Sequence, residues 1–316
     1  MAHELTLPVE LIIIIFDFAA ASCKDTALSI SLVCSWAHVA VAKHVFSTLV
    51  LRGHTTSPEI IPEKVRSLVR NFWIENIGVF WRNAIPFFSS MMLDLERIAL
   101  PGIYLWAMLE ALKEKESAMI CGTSESVVEE GHIASSASFK YPCRSLFVLS
   151  ETPSLIWKMF DECEPSRNFM GGITHIRIQG VSMSTFPPLK GCQNLTHIAF
   201  PMWDLKSLHY EKVDNICLTP TIQKLVLTIP KLPSTVPPPY SLDDLSLTCL
   251  ASYVRSRQSV PTHKIHIAFA ERKAQPDEWR EEIQGRRSIW NSAVPFNRMM
   301  DGMFFAELEA RHWIFP

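Results

Sequence analysis

The sequence predicts an α/β protein, with a small helical unit at the amino end followed by an irregular solenoid of short parallel strands and helices. Two observations carry this prediction. Three stretches with helical periodicity fall within the first ~50 residues. Beyond residue 53, a short phrase of the form apolar-x-x-apolar-x-apolar recurs along the chain. We therefore expect one domain over residues 1–53 and a second over residues 54–316.

The first helix is expected to begin at Pro8, because proline suits the first helical position, and Glu10 complements the positive end of the helix dipole. One apolar face follows at the spacing i, i+3, i+4 and i+7. Other apolar residues occupy the remaining directions, which leaves Asp17 as the only charge in the body of the helix. The face consists of Leu11, Ile14, Ile15 and Phe18, and the other directions hold Ile12, Ile13 and Phe16.

Helical periodicity resumes at residues 28–33 and 36–46, and Thr48–Leu51 is typical of a strand. Units this small bury only ~60% of the surface that their unfolded chain exposes. Two short neighbours therefore cannot cover a first helix that is apolar on every side. Either another polypeptide covers it, or the unit packs as an ordinary helical cap on the downstream domain of the same chain.

A membrane segment and a secretory signal are both disfavoured at this end of the chain. The apolar run from Leu11 to Ala21 is interrupted by Asp17 and is shorter than the ~20 residues that span a bilayer. A secretory signal begins with positive charge, whereas Lys24 is the first lysine here and follows three acidic residues.

The chain carries Leu7-Pro8 and Glu10 before an Ile-rich helix, and later Val33-Cys34 with Trp36 two residues after the cysteine. These residues resemble the F-box family, whose pattern is a Leu-Pro pair, an acidic residue and an Ile/Leu-rich helix, then Val-Cys-x-x-Trp with small shifts in spacing. The resemblance implies an F-box that docks on the small Skp adaptor of a cullin-RING ubiquitin ligase, while the remainder of the chain holds a target protein. Ala19–Asp25 replaces the acidic, proline-containing turn that is usual between the first two helices. The adaptor contacts that the resemblance implies are Leu7, Pro8, Glu10, Leu11, Ile14, Ile15, Val33, Cys34 and Trp36.

The recurrent phrase resembles the strand of a leucine-rich repeat. Its central residues lie 48, 30, 22 and 27 positions apart, partly within the ~20–29-residue period of that repeat, so the longer gaps require insertions. The Asn or Cys that normally follows the strand is missing. Clear copies are centred on Ile98, Leu146, Ile176, Ile198 and Leu225, and weaker ones lie at Val65–Leu68 and Lys264–Phe269.

Stacked parallel strands of this kind point alternate side chains to one shared outer surface. We expect that surface to be mixed basic and apolar and to be the candidate target-binding face. The alternative is that its members are ordinary solvent-facing strand residues without a ligand. The face would consist of Arg97, Phe147, His175, Arg177, His197, Lys224 and His266, together with Ala99, Ala199 and Val226.

Two segments are predicted as loops and two as a closing cap. Residues 113–142 are rich in Ser, Glu, Gly and Ala, and residues 231–240 carry four prolines. A helix is expected from Pro276, with acidic residues in its first turn, and another over Arg298–Trp313. We expect these helices to close the solenoid, because its last repeat would otherwise expose an apolar edge. Trp290, Phe296, Phe304, Phe305 and Trp313 are accordingly expected in the core.

Composition indicates a folded protein without a bulk polyanion partner. The 316 residues are 48% hydrophobic and carry a formal charge of −2, and no basic run with interleaved aromatics indicates nucleic-acid binding. The eight cysteines show no metal-ligand spacing, so we expect reduced thiols, no metal and a cytoplasmic or nuclear location. No phosphate loop, nucleophile elbow or metalloprotease motif appears, and no cofactor is expected.

Three functions follow as hypotheses. The first is a non-catalytic substrate-receptor subunit of an SCF-type ubiquitin ligase, whose partners are the Skp adaptor, the cullin scaffold and a target protein. The second is a repeat-based interaction module that works outside any ligase. The third is a hydrolase or transferase with an unfamiliar site, which rests only on the size of the second domain and its histidines.

Overall fold

The computed structural model describes residues 7–52, 61–75, 81–122, 141–150, 152–179, 186–202, 210–230, 261–270 and 275–296. Within these residues the protein is a mixed α/β structure with a nine-stranded, mostly parallel sheet. The predicted α/β class is confirmed. The segments 231–240 and Arg298–Trp313, for which we expected a loop and a helix, lie outside the described residues.

Three helices form the amino-terminal unit, as expected: α1 (Val9–Ser22), α2 (Lys24–Ser31) and α3 (Ser35–Phe46). Pro8 is the residue before α1 rather than its first residue, and its carbonyl oxygen accepts the Leu11 N–H at 3.0 Å. Its fixed φ still starts the helix, since proline has no N–H to satisfy there.

Small side chains fill the centre of this unit. Ala20, Ala27, Val41 and Val45 are buried between the helices. Such small residues let the helix backbones approach closely, and they leave little interior space for larger side chains. Most of the large apolar residues of α1 consequently lie outside the interior of the unit.

The sheet places its strands in the order in which they occur along the chain. Strands β1 to β8 are all parallel, and β9 joins β8 in antiparallel orientation. Parallel neighbours need a crossover connection, which here runs through helices or longer segments. The strands are β1 (Thr48–Leu51), β2 (Asn71–Ile74), β3 (Arg97–Leu100), β4 (Ser145–Val148), β5 (His175–Ile178), β6 (His197–Pro201), β7 (Lys224–Pro230), β8 (Ile265–Ala270) and β9 (Val294–Pro295).

The remaining helices alternate with these strands. Short 3₁₀ turns also occur, at Trp81–Ala84, Gly102–Tyr104, Leu189–Gly191 and Thr262–Lys264. The α-helices are α4 (Glu63–Arg66), α5 (Ile85–Met91), α6 (Leu105–Gly122), α7 (Ser154–Glu162), α8 (Glu164–Gly172), α9 (Tyr210–Leu218), α10 (Pro276–Ile283) and α11 (Ile289–Ser292).

The register of the sheet matches the recurrent phrase. The five central residues predicted from it pair in an unbroken row from Ile98 through Leu146, Ile176 and Ile198 to Leu225. The weaker copy at Lys264–Phe269 also forms a strand, but its register is shifted by two residues, since Leu225 pairs with Ile265 rather than with Ile267. The expected parallel stacking is therefore confirmed for these strands.

The weak copy at Val65–Leu68 was wrong. Its first half belongs to α4, where the Val65 N–H donates to the Pro62 carbonyl oxygen at 2.9 Å, and the strand of this unit is β2. Pro62 and Glu63 are a helix start, which overrides a four-residue apolar pattern that fits a helix and a strand equally well.

The two faces of the sheet are covered differently. One face packs against α5 to α9 and forms the main core, which includes Ile98, Leu146, Ile176 and Leu225. The opposite face is covered by the carboxyl-terminal residues 275–296, which we call the strap. We call the surface beneath it the strap face.

The position of the strap differs from that of the predicted cap. A helix does begin at Pro276, and Trp290 and Phe296 are buried as expected, but α10 and α11 lie across the sheet rather than beyond its last strand. Among the described residues, β9 closes the edge by pairing with β8. The apolar residues of the strap face need cover as much as the edge strand does, and the prediction considered only the edge.

One predicted boundary moves. The loop expected from residue 113 starts later, because α6 continues to Gly122 on good helix formers such as Lys113, Glu114 and Ala118. Residues 123–140 lie outside the described part. Strand β1, which precedes residue 53, pairs with β2 and is the first strand of the sheet.

Candidate functional site

Exposed apolar side chains are concentrated on the three amino-terminal helices. Of the fifteen large hydrophobic side chains that are exposed in the described part of the chain, twelve lie between Leu7 and Val39. Scattered exposed apolar residues are normal on a soluble protein, whereas a concentration of them marks an interaction site. We call this the amino-terminal apolar surface; its members are Leu7, Val9, Leu11, Ile13, Ile14, Ile15, Phe18, Leu28, Leu32, Val33, Trp36 and Val39.

The helical spacing of α1 explains which of its residues point outward. Leu11, Ile14, Ile15 and Phe18, which form the face predicted from the sequence, are all exposed, and the Phe18 side chain is 82% exposed. The side of α1 that carries Ile12, Phe16 and Ala20 faces α2 and α3. The predicted apolar face therefore points away from the chain's own core.

The expected adaptor-binding residues lie together on this unit. Leu7, Pro8 and Glu10 are exposed at the start of α1, and Leu11, Ile14 and Ile15 follow on its outer face. Val33 and Trp36 are exposed where α2 gives way to α3. Cys34 is the exception, because it is half-buried at the residue preceding α3.

Ring stacking and an ion pair hold α1 against α3 beside this surface. The rings of Phe16 and Trp36 stack with centroids 5.6 Å apart. The Asp17 carboxylate accepts hydrogen bonds from Lys43 Nζ and His44 Nε2, each at 2.7 Å. These bonds lower the pKa of the Asp17 carboxyl. Asp17 thus ties α1 to α3 and leaves the outer face of α1 apolar.

Sequence reasoning missed several members of this surface. Leu32 and Val39 are 86% and 74% exposed, yet neither was a candidate. Their signal was present: Val39 follows Trp36 by three residues on α3, and Leu32 adjoins Val33 in the turn between α2 and α3. Helical periodicity shows which residues share a face, but not which of two apolar faces is buried.

The second candidate surface is the strap face, and the structure brings its predicted residues together. Arg97, His175, His197 and Lys224 lie in one row of the register. Phe147, Arg177 and His266 lie in the adjacent row, together with Trp73, Ala99, Ala199 and Val226. The shared placement is as expected, but the exposure is not. Phe147 and Arg177 are buried and the other five are half-buried, because the strap covers them.

Helix α10 fills the half of the strap face formed by β2 to β5. The Trp279 ring is buried with its centroid 5.4 Å from that of Trp73, which in turn lies 5.7 Å from that of Phe147. Arg177 Nη2 pairs with Glu278 Oε1 at 3.0 Å, and its guanidinium carbon lies 4.4 Å from the Phe147 ring centroid. Cation–π and ionic contacts thus hold Arg177 from two sides.

Helix α11 covers the half formed by β6 to β8. Trp290 lies over a stacked pair of imidazoles, His175 and His197, whose ring centroids are 4.4 Å apart. Lys224 Nζ donates to the Trp290 carbonyl oxygen at 2.8 Å, and Trp290 Nε1 donates to Glu282 Oε1 at 3.0 Å. The strap is therefore bound to the sheet at both ends of the face.

Burial and positive neighbours depress the histidine pKa values on the strap face. Burial is the main cause for His197, and His175, Lys224 and His266 add repulsion, so its pKa falls to about 4. Burial likewise lowers the pKa of His175 and of His266. Burial raises the pKa of Glu282 beside them. Neutral imidazoles are therefore the stable form beneath the strap at pH 7.

Several buried polar atoms beneath α10 lack a hydrogen-bond partner among the described residues. Three buried atoms there have no hydrogen-bond partner within the described residues: Trp73 Nε1, Arg177 Nη1 and Glu278 Oε2. Each such atom forgoes the hydrogen bonds it would make in water. Arg177 and Glu278 consequently meet through a single hydrogen bond where a bidentate pair is possible.

The sequence did not indicate that Trp73 and the strap belong to this surface. Trp73 was overlooked because the repeat copy was placed a few residues too early, at Val65–Leu68. The spacing offered a signal, since Leu49, Phe72 and Ile98 are register neighbours 23 and 26 residues apart. No local sequence pattern connects Trp279 with β2, which lies about two hundred residues earlier in the chain.

A third feature is a polar cleft of about 760 Å³ between α8 and the turn at Leu189–Gly191. Its charged side chains, Asp161, Glu164, Arg167 and Lys190, are all exposed to solvent. Exposed charges of this kind are a solvated surface rather than a reaction centre, where burial and close neighbours shift the pKa values of catalytic groups.

The described residues were compared with the requirements of a metal site, a reactive thiol and a membrane-spanning helix. No group of three or more His, Cys, Asp or Glu side chains within them is placed to hold a metal ion. Burial raises the pKa of the thiols of Cys143, Cys192 and Cys217 to about 12. Among the described side chains, the cysteines without a disulfide partner are Cys23, Cys34, Cys143, Cys163, Cys192 and Cys217. None of the described helices has both the length and the apolar character needed to cross a bilayer.

Comparison with family models, with curated proteins and with solved structures finds no match to this chain. The amino-terminal apolar surface consists of large apolar side chains, whereas the strap face combines aromatic, basic and small apolar side chains.

Proposed function

We propose that this chain is a substrate-receptor subunit of an SCF-type, cullin-RING ubiquitin ligase. The three-helix unit binds the Skp adaptor through the amino-terminal apolar surface, and the sheet domain holds a target protein. The chain is non-catalytic, since it contributes the position and orientation of the target while other subunits transfer ubiquitin. It works in the cytoplasm or nucleus, where such ligases operate.

The observation that carries this proposal is the outward direction of Leu11, Ile14, Ile15 and Phe18. The apolar surface of these side chains is unfavourable in water, and covering it contributes ~25 cal/mol per Å² to association. The competing interpretation, an ordinary helical cap, requires that this face pack on the chain's own second domain. The exposure of these side chains speaks against that interpretation.

Capture of the full-length chain on immobilised Skp adaptor tests the proposal. Ile14→Asp places a charge on the outer face of α1 at a side chain that is 62% exposed, so the fold should be unchanged. We expect recovery to fall at least tenfold relative to wild type, because the aspartate would be desolvated at the interface. The Leu7→Ala, Pro8→Ala double variant should fall in the same direction.

Leu155→Asp is the matched control, since Leu155 is a comparably exposed apolar residue on α7. It should be captured like wild type. Equal capture of Ile14→Asp and wild type, or no capture of wild type, would contradict adaptor binding by this surface.

A second candidate function is a repeat-based interaction module that binds the Skp adaptor but works outside any ligase. The connection between α1 and α2 favours it, because Cys23 alone separates the two helices and no acidic, proline-containing loop is present. Addition of the cullin scaffold to the complex of chain and adaptor distinguishes the two. Recruitment of the cullin favours the ligase subunit, and a stable complex that excludes the cullin favours the second function.

A further inference from the structure

The strap is packed on the sheet as a separate layer. Trp279 clusters with Trp73, Ala99 and Phe147, and α11 clusters with Ala199 and its neighbours, whereas the main core lies on the other side of the sheet. Only the end of the strap reaches the main core, through Val294 and Phe296. Helix α10 can therefore leave the strap face without removing any side chain from the main core.

The fit of α10 is less complete than the fit within the main core. Of the five buried side-chain polar atoms without a partner in the described residues, three lie between α10 and the sheet. Native interiors satisfy nearly all such atoms, and those left over call for a physical explanation. A segment that must leave its site, so that another ligand can enter, explains why the contact is not optimised.

The chemistry of α10 complements that of the strap face. The face offers Arg97 and Arg177 beside an apolar floor of Trp73 and Phe147. Helix α10, with the sequence PDEWREEI, brings four carboxylates, one arginine and a single large aromatic side chain. Its occupancy shows directly which kind of segment this surface accepts.

We propose that the strap is an intramolecular ligand of the sheet, and that the partner which displaces α10 is a short acidic segment with one large aromatic side chain that takes the place of Trp279. This inference rests on the proposed function, in which the sheet domain holds a target protein. It adds the chemistry of the target and the way in which access to it is controlled. The face is closed in the free chain, and a segment of matching chemistry competes for it.

The test measures binding of a labelled synthetic peptide with the sequence of residues 275–284 to the full-length chain by fluorescence anisotropy. Trp279→Ala in the chain removes the aromatic anchor of α10 and leaves its site beside Trp73 open. We expect the variant to bind the peptide at least tenfold more tightly than wild type does. Glu278→Arg, which places α10 in repulsion with Arg177, should also increase peptide binding.

Two controls make the comparison specific. A peptide in which Trp279 is replaced by alanine should lose the binding to the Trp279→Ala chain. Trp157→Ala in the chain removes an equally buried tryptophan from the main core, so it should lower the midpoint of unfolding without increasing peptide binding. Hydrogen exchange of the amides of β4 and β5 shows that the Trp279→Ala sheet remains folded.

Either of two results would overturn the inference. One is that the amides of β4 and β5 lose protection together with α10 in the Trp279→Ala chain, which would make the strap an integral part of the sheet domain. The other is that neither open variant binds the peptide better than wild type.

Capture on the Skp adaptor is measured with the same variants. Retained capture with failed peptide binding overturns this inference alone, and the reverse overturns only the ligase proposal.

Discussion

His197 shows how single side chains on the strap face are tuned by their neighbours. Its imidazole stacks on His175, lies under Trp290 and faces Lys224 and His266. Burial removes the water that would stabilise a positive charge at this position, and His175, Lys224 and His266 repel such a charge. Closure of the strap over this pair therefore depends on neutral histidines.

We predict that acid weakens the fold through His197. Its pKa is about 4 in the folded chain and ~6.5 when unfolded, so the unfolded state binds more protons between these values. The stability contributed by the neutral imidazole is present above pH 6.5 and is lost as the pH falls towards 4. Between pH 7.5 and pH 5.0 we expect a loss of about 1 kcal/mol, since partial exposure reduces the effect.

Urea unfolding of wild type and of His197→Gln at the two pH values measures this contribution. The variant should lose less stability on acidification than wild type. His263→Gln, at an exposed histidine, serves as the control and should behave like wild type. An identical pH dependence of all three chains would contradict the assignment.

The pair of Arg177 and Glu278 gives a second prediction at this scale. Glu278→Gln leaves the buried Arg177 guanidinium without its counter-charge, which should lower the free energy of unfolding by about 2 kcal/mol. Glu162→Gln, in an exposed pair with Lys158 at 3.7 Å, should change it by less than about 0.5 kcal/mol. Urea denaturation measures both changes. Equal changes in the free energy of unfolding would show that the buried pair stabilises the fold no more than the exposed pair does.

Among the elements, the carboxyl end of α8 shows how tightly the crossover helices pack on the sheet. Gly171 and Gly172 are adjacent, but their surroundings differ. A Cβ atom at Gly172 would lie 3.1 Å from the Tyr141 carbonyl oxygen and 3.3 Å from that of Cys143, whereas one at Gly171 would lie 3.9 Å from the Gly191 carbonyl oxygen. Backbone atoms cannot move aside as side chains do.

We therefore predict opposite outcomes for two neighbouring substitutions. Gly172→Ala should lower the free energy of unfolding by about 1–2 kcal/mol, because the new methyl group overpacks against the strand-entry backbone of β4. Gly171→Ala should leave it unchanged or raise it by a few tenths of a kcal/mol, since alanine favours the helix. Urea midpoints of the two variants provide the test, and a destabilisation by Gly171→Ala as large as that by Gly172→Ala would contradict the packing described.

Elements were predicted best where their signal is local. The strands around Ile98, Leu146, Ile176, Ile198 and Leu225 were located correctly, because alternating apolar residues after a polar entry are a strong strand signal. The strand β2 was missed because the competing pattern at Val65–Leu68 is too short to separate a period of 2 from a period of 3.6. The continuation of α6 to Gly122 was missed because its composition suggested a loop.

At the scale of the whole molecule, the two layers on the sheet have different origins in the sequence. The helix-side core follows from the repeated phrase and could be predicted. The strap could not, because its contacts, such as that between Trp73 and Trp279, join residues far apart in the chain and leave no local pattern. The amino-terminal apolar surface was predicted because its residues exceed what a three-helix unit can bury.

Of the two candidate surfaces on the described residues, one is open and the other is closed. The amino-terminal apolar surface is exposed in the free chain, and the strap face is covered by the chain itself. The open surface is the one that we assign to a constitutive partner. Binding there should protect α1 and α3 and leave the strands β3 to β7 unchanged.

Hydrogen exchange of the full-length chain with and without the Skp adaptor tests this assignment most directly. We predict slower amide exchange within residues 9–46 on addition of the adaptor and no change in β3 to β7. In the Ile14→Asp chain this protection should be absent at the same adaptor concentration. Protection that appears elsewhere, or none in wild type, would show that the exposed face of α1 is not an adaptor-binding surface.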